Sequence, residues 1–184
     1  MGNIFVTSDL HFGHDKEFCY GPRGFASAKE MNEWLLEHYN RTVRTNDEVY
    51  ILGDLVVGNV EEGMEYARWL NGKIHLVLGN HDSPKKIEQY KDMKNILTIS
   101  FADAFTYNKF HFYLSHYPSL TANYTDGGLR NKTYNLCGHT HTTNPFFHSD
   151  LGAIYHCEVD AHDNYPVAVD DIIKDLRSFY LDKE

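Results

Sequence analysis

The chain has 184 residues, 42% hydrophobic and 23% charged, which suffices to bury one core and is short for two. Its net charge of −9 with histidines neutral repels polyanions, so composition argues against duplex binding or any extended nucleic-acid partner. No apolar stretch reaches the length of a membrane span, and "MGNIFVTSDL" lacks a basic region before a long apolar core, so a cytoplasmic chain without membrane partners is expected.

In chain order, "IFVTS" (Ile4 to Ser8) reads as a buried strand. "SAKEMNEWLLEHYNRTV" follows as a helix, with Met31, Trp34, Leu35 and Tyr39 on one face and Ser27 and Glu30 as a capping box. "VYILG" (Val49 to Gly53) is the second strand. The helix of "NVEEGMEYARWLNG" opens on Asn59 and is expected to stop at Gly72, and "IHLVLG" (Ile74 to Gly79) is the third strand. This β–α–β–α–β order predicts parallel strands with right-handed crossovers. Ser83 reads as the N-cap of a short helix from Pro84 to Lys91.

Strand-like runs then come at Ile96 to Ser100, Ala102 to Tyr107, Phe110 to Ser115, Tyr134 to Cys137 and Ile154 to Val159. The turn in "TYNKF" suggests a hairpin, so this half is expected to be richer in antiparallel pairs. Tyr117 to Lys132 reads as a loop, and "VDDIIKDLRSFY" closes the chain as a helix with Ile172, Ile173 and Leu176 on one face. No repeat or linker is visible, so residues 1–184 are expected to form a single domain.

Cys19, Cys137 and Cys157 are odd in number and lack CxxC spacing. They read as buried thiols, not as a disulfide framework or a thiolate zinc site. The twelve histidines are the compositional outlier. They concentrate at strand ends. "SDLHFGH" carries Asp9, His11 and His14; "LGDL" carries Asp54; "LGNHD" carries Asn80, His81 and Asp82; "YLSHYP" carries His116; "NLCGHTH" carries His139 and His141. Loops beyond the carboxyl ends of parallel strands converge on one crevice, so these groups can meet. Imidazole nitrogen mixed with hard oxygen suits Mn, Fe, Zn or Ni. One carboxylate can bridge two such metals about 3.5–4 Å apart, with a hydroxide held between them.

Asp9-x-His11, Gly53-Asp54, Gly79-Asn80-His81-Asp82, His116 and Gly138-His139-x-His141 resemble, in this order, the signature of the calcineurin-like metallophosphoesterases. "SDLHFGH", "LSHYP" and "CEVDAHDNYPVAVDDI" resemble the small, lidless bacterial and phage members. The resemblance implies an α/β fold, a four-layer α/β/β/α sandwich of two mixed β-sheets flanked by helices. It implies a first metal on Asp9, His11 and His141 and a second on Asn80, His116 and His139. Asp54 would bridge them, and His81 would face the phosphate and assist the leaving oxygen. One position departs from the protein-phosphatase branch: where an Asp would orient the catalytic His, this chain has Val57. Asp82 adjoins His81 but need not reach its ring, so what orients His81 stays open at this point.

Beyond the motif, Arg23 in "GPRGF" could neutralise a phosphate oxygen with its planar fork, and His14 could reach the phosphate or a metal-bound water. Arg130 is a weaker candidate of the same kind. His38, His75 and His111 read as structural, and His148, His156 and His162 as surface or hydrogen-bonded groups. Tyr117, Tyr124, Phe146 and Phe147 flank the motifs, with packing as their default role and base stacking as the alternative.

The expected function is hydrolysis of small phosphodiesters, nucleotide-like ones among them, by in-line attack of the metal-bridging hydroxide, with His81 assisting the leaving group. Two divalent transition-metal ions are the expected cofactors, Mn first and Fe, Ni or Zn as alternatives, and a small phosphate ester is the expected partner. A phosphomonoesterase using the same site is the second reading. A non-catalytic scaffold is the third, and the complete set of motif residues speaks against it.

Overall fold

The computed structural model describes residues 2–121, 132–149 and 152–181. In chain order the elements are β1 (Ile4–Thr7), α1 (Glu17–Tyr20), α2 (Ala28–Thr42), β2 (Glu48–Ile51), α3 (Val60–Arg68), β3 (Lys73–Val77), α4 (Pro84–Lys91) and β4 (Ile96–Ser100). There follow β5 (Ala102–Tyr107), β6 (Phe110–Ser115), β7 (Thr133–Cys137), β8 (Phe146–Ser149), β9 (Gly152–His156), a 3₁₀ turn (Val159–Ala161), β10 (Val167–Ala168) and α5 (Val169–Leu181).

The strands form two mixed five-stranded sheets, one ordered β10-β1-β2-β3-β4 and the other β5-β6-β7-β9-β8. In the first, β1 to β4 are parallel, with Phe5 opposite Val49 and Val49 opposite Ile74, and β10 is antiparallel on β1. In the second, β6, β7 and β9 are parallel neighbours, and β5 and β8 are antiparallel edges. The sequence grouped the strand at Ile96 with the antiparallel half. It instead extends the parallel sheet, because periodicity reports burial and not the pairing partner.

Local chemistry explains most boundaries. Ser27 Oγ accepts the Glu30 N–H at 3.2 Å, capping α2, and Glu30 returns a carboxylate oxygen to the N–H of Ala26. Asn108 and Lys109, both at positive φ, form the two-residue turn between β5 and β6. Ser83 precedes Pro84 as expected, but its hydroxyl makes no cap bond; its carbonyl accepts the Ile87 N–H at 3.0 Å. The α3 helix stops at Arg68, earlier than Gly72, because Asn71 is pinned to α2. Its N–H reaches Asn40 Oδ1 at 2.8 Å and its side chain reaches the Val43 carbonyl. The last predicted strand spans Gly152–His156 rather than Ile154 to Val159, since Val159 opens the 3₁₀ turn.

Two apolar clusters hold the layers. Met31, Leu35 and Tyr39 of α2, Met64 and Ala67 of α3 and Tyr90 of α4 pack on Phe5, Val49, Ile51 and Ile74 of the first sheet. On its other face Val6, Leu52 and Val77 meet Phe112, Leu114, Tyr134, Leu136 and Tyr155 of the second sheet. Ile172, Ile173 and Leu176 of α5 join this cluster. The packing is therefore sheet against sheet with flanking helices. No described helix is long and apolar enough to cross a membrane.

Candidate active site

The loops after β1 and β2 run side by side at the carboxyl edge of the first sheet. Asp9 N–H bonds the Gly53 carbonyl, His11 N–H the Asp54 carbonyl and Phe12 N–H the Leu55 carbonyl, each at 3.1 Å. The N–H of Gly138 bonds the His116 carbonyl at 3.0 Å, tying the loops after β6 and β7 together. Gly53 takes φ 95°, and a Cβ there would collide with His116 Nδ1 and the Gly79 backbone, so only glycine lets these loops close. Asp9, His11, Asp54, His139 and His141 all have positive φ. Such conformations cost about 1–3 kcal/mol each and persist where the surroundings impose them, commonly at functional sites.

Eight motif residues meet there. Asp9 Oδ1 lies 3.5 Å from His11 Nε2 and 3.6 Å from His141 Nε2. Asp54 Oδ2 lies 3.7 Å from His11 Nε2 and 3.6 Å from His116 Nε2, so one carboxylate oxygen faces both halves of the cluster. Asn80 Oδ1 is 2.9 Å from both His116 Nε2 and His139 Nδ1. His81 sits at the rim with its side chain 48% exposed and Nε2 3.9 Å from Asp54 Oδ2.

The hydrogen bonds around the cluster aim its lone pairs inward. His116 Nδ1 donates to the Leu52 carbonyl at 2.8 Å, which leaves Nε2 bare toward Asn80 and Asp54. His141 Nδ1 lies 2.9 Å from Asp160 Oδ2. Asp9 Oδ2 accepts Ser8 Oγ at 2.6 Å and the His139 N–H at 2.9 Å, while its Oδ1 is buried without a partner. His11 Nε2 is likewise buried and unpartnered. Buried electron-rich atoms facing one another, as Asp9 Oδ1 and His11 Nε2 do, need a cation between them, a proton or a metal. The donors, imidazole nitrogens with carboxylate and amide oxygens, fit a divalent transition metal. Asp9, His11 and His141, and separately Asp9, Asp54 and His116, lie close enough to share an ion.

The local electrostatics agree. Burial disfavours the His11 imidazolium, yet the Asp54 and Asp9 carboxylates that face it outweigh burial and push His11 up to about 10. Burial raises Asp9 and Asp54, but His11 and the other histidines win and hold both below the usual carboxylate range.

Among the further candidates, Arg23 is placed against expectation. Arg23 does not face an open site: its side chain is 1% exposed, and its Nε and Nη2 each donate to Asp160 at 2.9 Å. It also reaches the carbonyls of Asp9 and Leu10, the Met31 sulfur and, at 3.3 Å, His141 Nδ1, so its fork is committed inside the protein. His14 is half-buried beside the cluster, with Nδ1 3.4 Å from His11 Nδ1. Arg130 and Tyr124 lie outside the described residues. Tyr117 is half-exposed against the His139 ring, with centroids 4.7 Å apart, whereas Phe146 packs on Phe179. His156 is hydrogen-bonded to Thr140 and His162 to the His156 carbonyl.

The backbone of His81 is fixed, while its ring meets only Asp54 Oδ2 at 3.9 Å and the His11 ring at a centroid distance of 5.8 Å among the described residues. Its N–H donates to Asp54 Oδ1 at 2.9 Å, and its carbonyl accepts from Lys86 Nζ at 2.8 Å, so the backbone positions it. Asp82 serves the loops instead, accepting the N–H groups of Asp54 and Gly79 and the Tyr90 hydroxyl. Sequence reasoning missed Asp160, Lys86 and Tyr90. Only Asp160 carried a signal, a carboxylate shortly after a strand end, like the ligands themselves.

Comparison with known proteins agrees with this arrangement. The chain is 32% identical to the protein MJ1445 of Methanocaldococcus jannaschii over 182 residues, which is 95% of this chain and 91% of that protein. Its fold is similar to the solved structure of AQ665, a protein of unknown function from Aquifex aeolicus. That match has a TM-score of 0.69 and 23% identity, and covers 95% of this chain and 99% of that one. It is also similar to a novel archaeal phosphodiesterase, at a TM-score of 0.50 and 19% identity over 84% of this chain and 82% of that one. The family description "Calcineurin-like phosphoesterase superfamily domain" matches residues 3–157, which hold all eight of the converging residues, and the chain belongs to that superfamily.

Proposed function

We propose that the protein is a metal-dependent phosphodiesterase for small diesters, with two divalent cations sharing Asp54. The observation that carries the reading is the position of Asp54 Oδ2, 3.7 Å from His11 Nε2 on one side and 3.6 Å from His116 Nε2 on the other. Asp9, His11 and His141 would hold one ion and Asn80, His116 and His139 the second. Such ions polarise phosphoryl oxygens and bring the pKa of a water toward neutrality. Manganese is the first choice for a mixed nitrogen and oxygen set, with Fe, Ni and Zn as alternatives.

The chain's own residues supply the rest. Asp54 places negative charge where both cation sites meet, and its Oδ1 fixes the His81 backbone. His81, half-exposed at the rim, can present an N–H to the departing alkoxide or aryloxide. The commitment of Arg23 to Asp160 supports a diester over a monoester, because a monoester dianion needs positive charge beyond the metals. The likeness to the archaeal phosphodiesterase accords with the same choice at the level of fold. Three free, buried cysteines accord with a reducing, cytoplasmic setting.

The test is hydrolysis of a chromogenic diester and the matching monoester by chelator-treated protein, with Mn, Ni, Zn, Mg or Fe(II) restored singly. The expected result is metal-restored cleavage that favours the diester and is lost in Asp54→Asn. A monoester preference would overturn the diester assignment, and no turnover with metal bound would favour the scaffold.

A further inference from the structure

We infer that Asp160 and Arg23, neither of them a candidate ligand, act as positioning residues that fix which nitrogen of His141 faces the site. The inference rests on the metal-dependent reading above. Asp160 lies in the 3₁₀ turn after β9, beyond the residues 3–157 that match the family. Arg23 lies between β1 and α2, 137 positions earlier in the chain.

The Arg23 guanidinium meets Asp160 fork to fork, with Nε to Oδ1 and Nη2 to Oδ2 both at 2.9 Å. The same Nη2 donates to the Asp9 carbonyl at 2.8 Å, and Nη1 approaches the Leu10 carbonyl at 3.4 Å. One buried guanidinium therefore braces both the loop that carries Asp9, at φ 56°, and the carboxylate that receives His141.

The chemistry then selects a tautomer. His141 Nδ1 lies 2.9 Å from Asp160 Oδ2 and 3.3 Å from Arg23 Nη2. Arginine offers only donors, and an ionised carboxylate offers only acceptors. Both Nη2 hydrogens are already donated, to Asp160 Oδ2 and the Asp9 carbonyl, so Nδ1 finds only an acceptor beside it and must carry the proton and donate it to Asp160. The lone pair is left on Nε2, which points to the orphaned Oδ1 of Asp9 at 3.6 Å. Burying an ion pair adds little net stability, so the contribution of this one lies in orientation. Partners that orient metal-bound histidines typically account for about 10–100-fold in metal affinity.

The experiment is a double-mutant cycle read by calorimetric titration of Mn(II) into the chelator-treated full chain. Its members are wild type, Asp160→Asn, His141→Ala and the double variant, each checked for folding by circular dichroism. Asp160→Asn is expected to weaken Mn(II) binding about 10–100-fold in the wild-type background and hardly at all beside His141→Ala. An unchanged affinity, or an equal loss in both backgrounds, would overturn the inference, since a merely structural residue acts regardless of His141. Should Asp160→Asn fail to fold, Arg23→Lys keeps the charge, removes the fork and passes through the same cycle. Wild type that binds no Mn, Fe, Ni or Zn would instead overturn the metal-dependent reading itself.

Discussion

Asp82 Oδ2 accepts the backbone N–H of Asp54 at 2.9 Å. The same oxygen accepts the Gly79 N–H at 2.8 Å, and Oδ1 accepts the Tyr90 hydroxyl at 2.9 Å. Asp82 is thus a buried strut between α4 and the loops that carry Asp54 and Asn80. Asp82→Ala would strand two backbone donors and a hydroxyl, each worth about 1–3 kcal/mol when left unpaired. We expect Asp82→Ala to lower urea-measured stability by about 3 kcal/mol or more and Asp82→Asn, which keeps one acceptor, by less. A loss within about 0.5 kcal/mol would place Asp82 among ordinary surface positions and refute the strut.

His81 contacts the cluster through its backbone and leaves its ring at the rim, so its removal should separate chemistry from metal binding. His81→Ala is expected to lower turnover about 10²–10⁴-fold while leaving metal stoichiometry intact. The loss should be greater for alkyl than for nitrophenyl leaving groups, which depart without a proton. Equal loss of metal and activity would make His81 a ligand instead.

The same two residues show why parts of the site were legible in sequence and parts were not. Asp54 and His81 are displayed at strand ends beside glycines, where hydrophobic runs stop and ligand chemistry starts, so local pattern exposes them. The bounds of α4 and of β4 to β6 were readable for the same reason, since Pro84, Asn108 and Lys109 mark turns. The partner of Arg23 was not readable, because a guanidinium in a loop looks solvated until the fold brings Asp160 from 137 residues away. Lys86 reads as an exposed helix residue, yet it is buried and spends its ammonium on backbone carbonyls. The two-residue β10 pairs only through β1, and nothing in its own composition announces it.

Gly79 tests how tightly the Asp54 carboxylate is held. A Cβ added there would press on Asp54 Oδ1 and on the Asp54 backbone nitrogen, neither of which can retreat without moving the Asp54 carboxylate. Overpacking of this kind costs about 1–3 kcal/mol. A displaced catalytic group can cost about 100-fold in rate, so Gly79→Ala should lose activity out of proportion to stability. Activity within twofold of wild type would mean that the loop has slack the structure does not display.

His11 makes the metal-stripped protein sensitive to pH in a direction the structure fixes. Burial alone would lower its pKa, but Asp54 and Asp9 hold the proton and raise it from the ordinary 6.5 to about 10. Below 6.5 both folded and unfolded chains carry that proton, and its contribution to stability is fully present. As pH rises toward 10 the unfolded chain has already released the proton, so the contribution shrinks and is gone once the folded group titrates. Stability in chelator, measured by urea denaturation between about pH 7 and 9, should therefore fall, and His11→Asn should flatten the slope. Mn(II) must displace the same proton, so its affinity should rise with pH and its binding heat should depend on the buffer's ionisation enthalpy. A slope in chelator that rises with pH, or that His11→Asn leaves unchanged, would show that the proton resides elsewhere in the cluster.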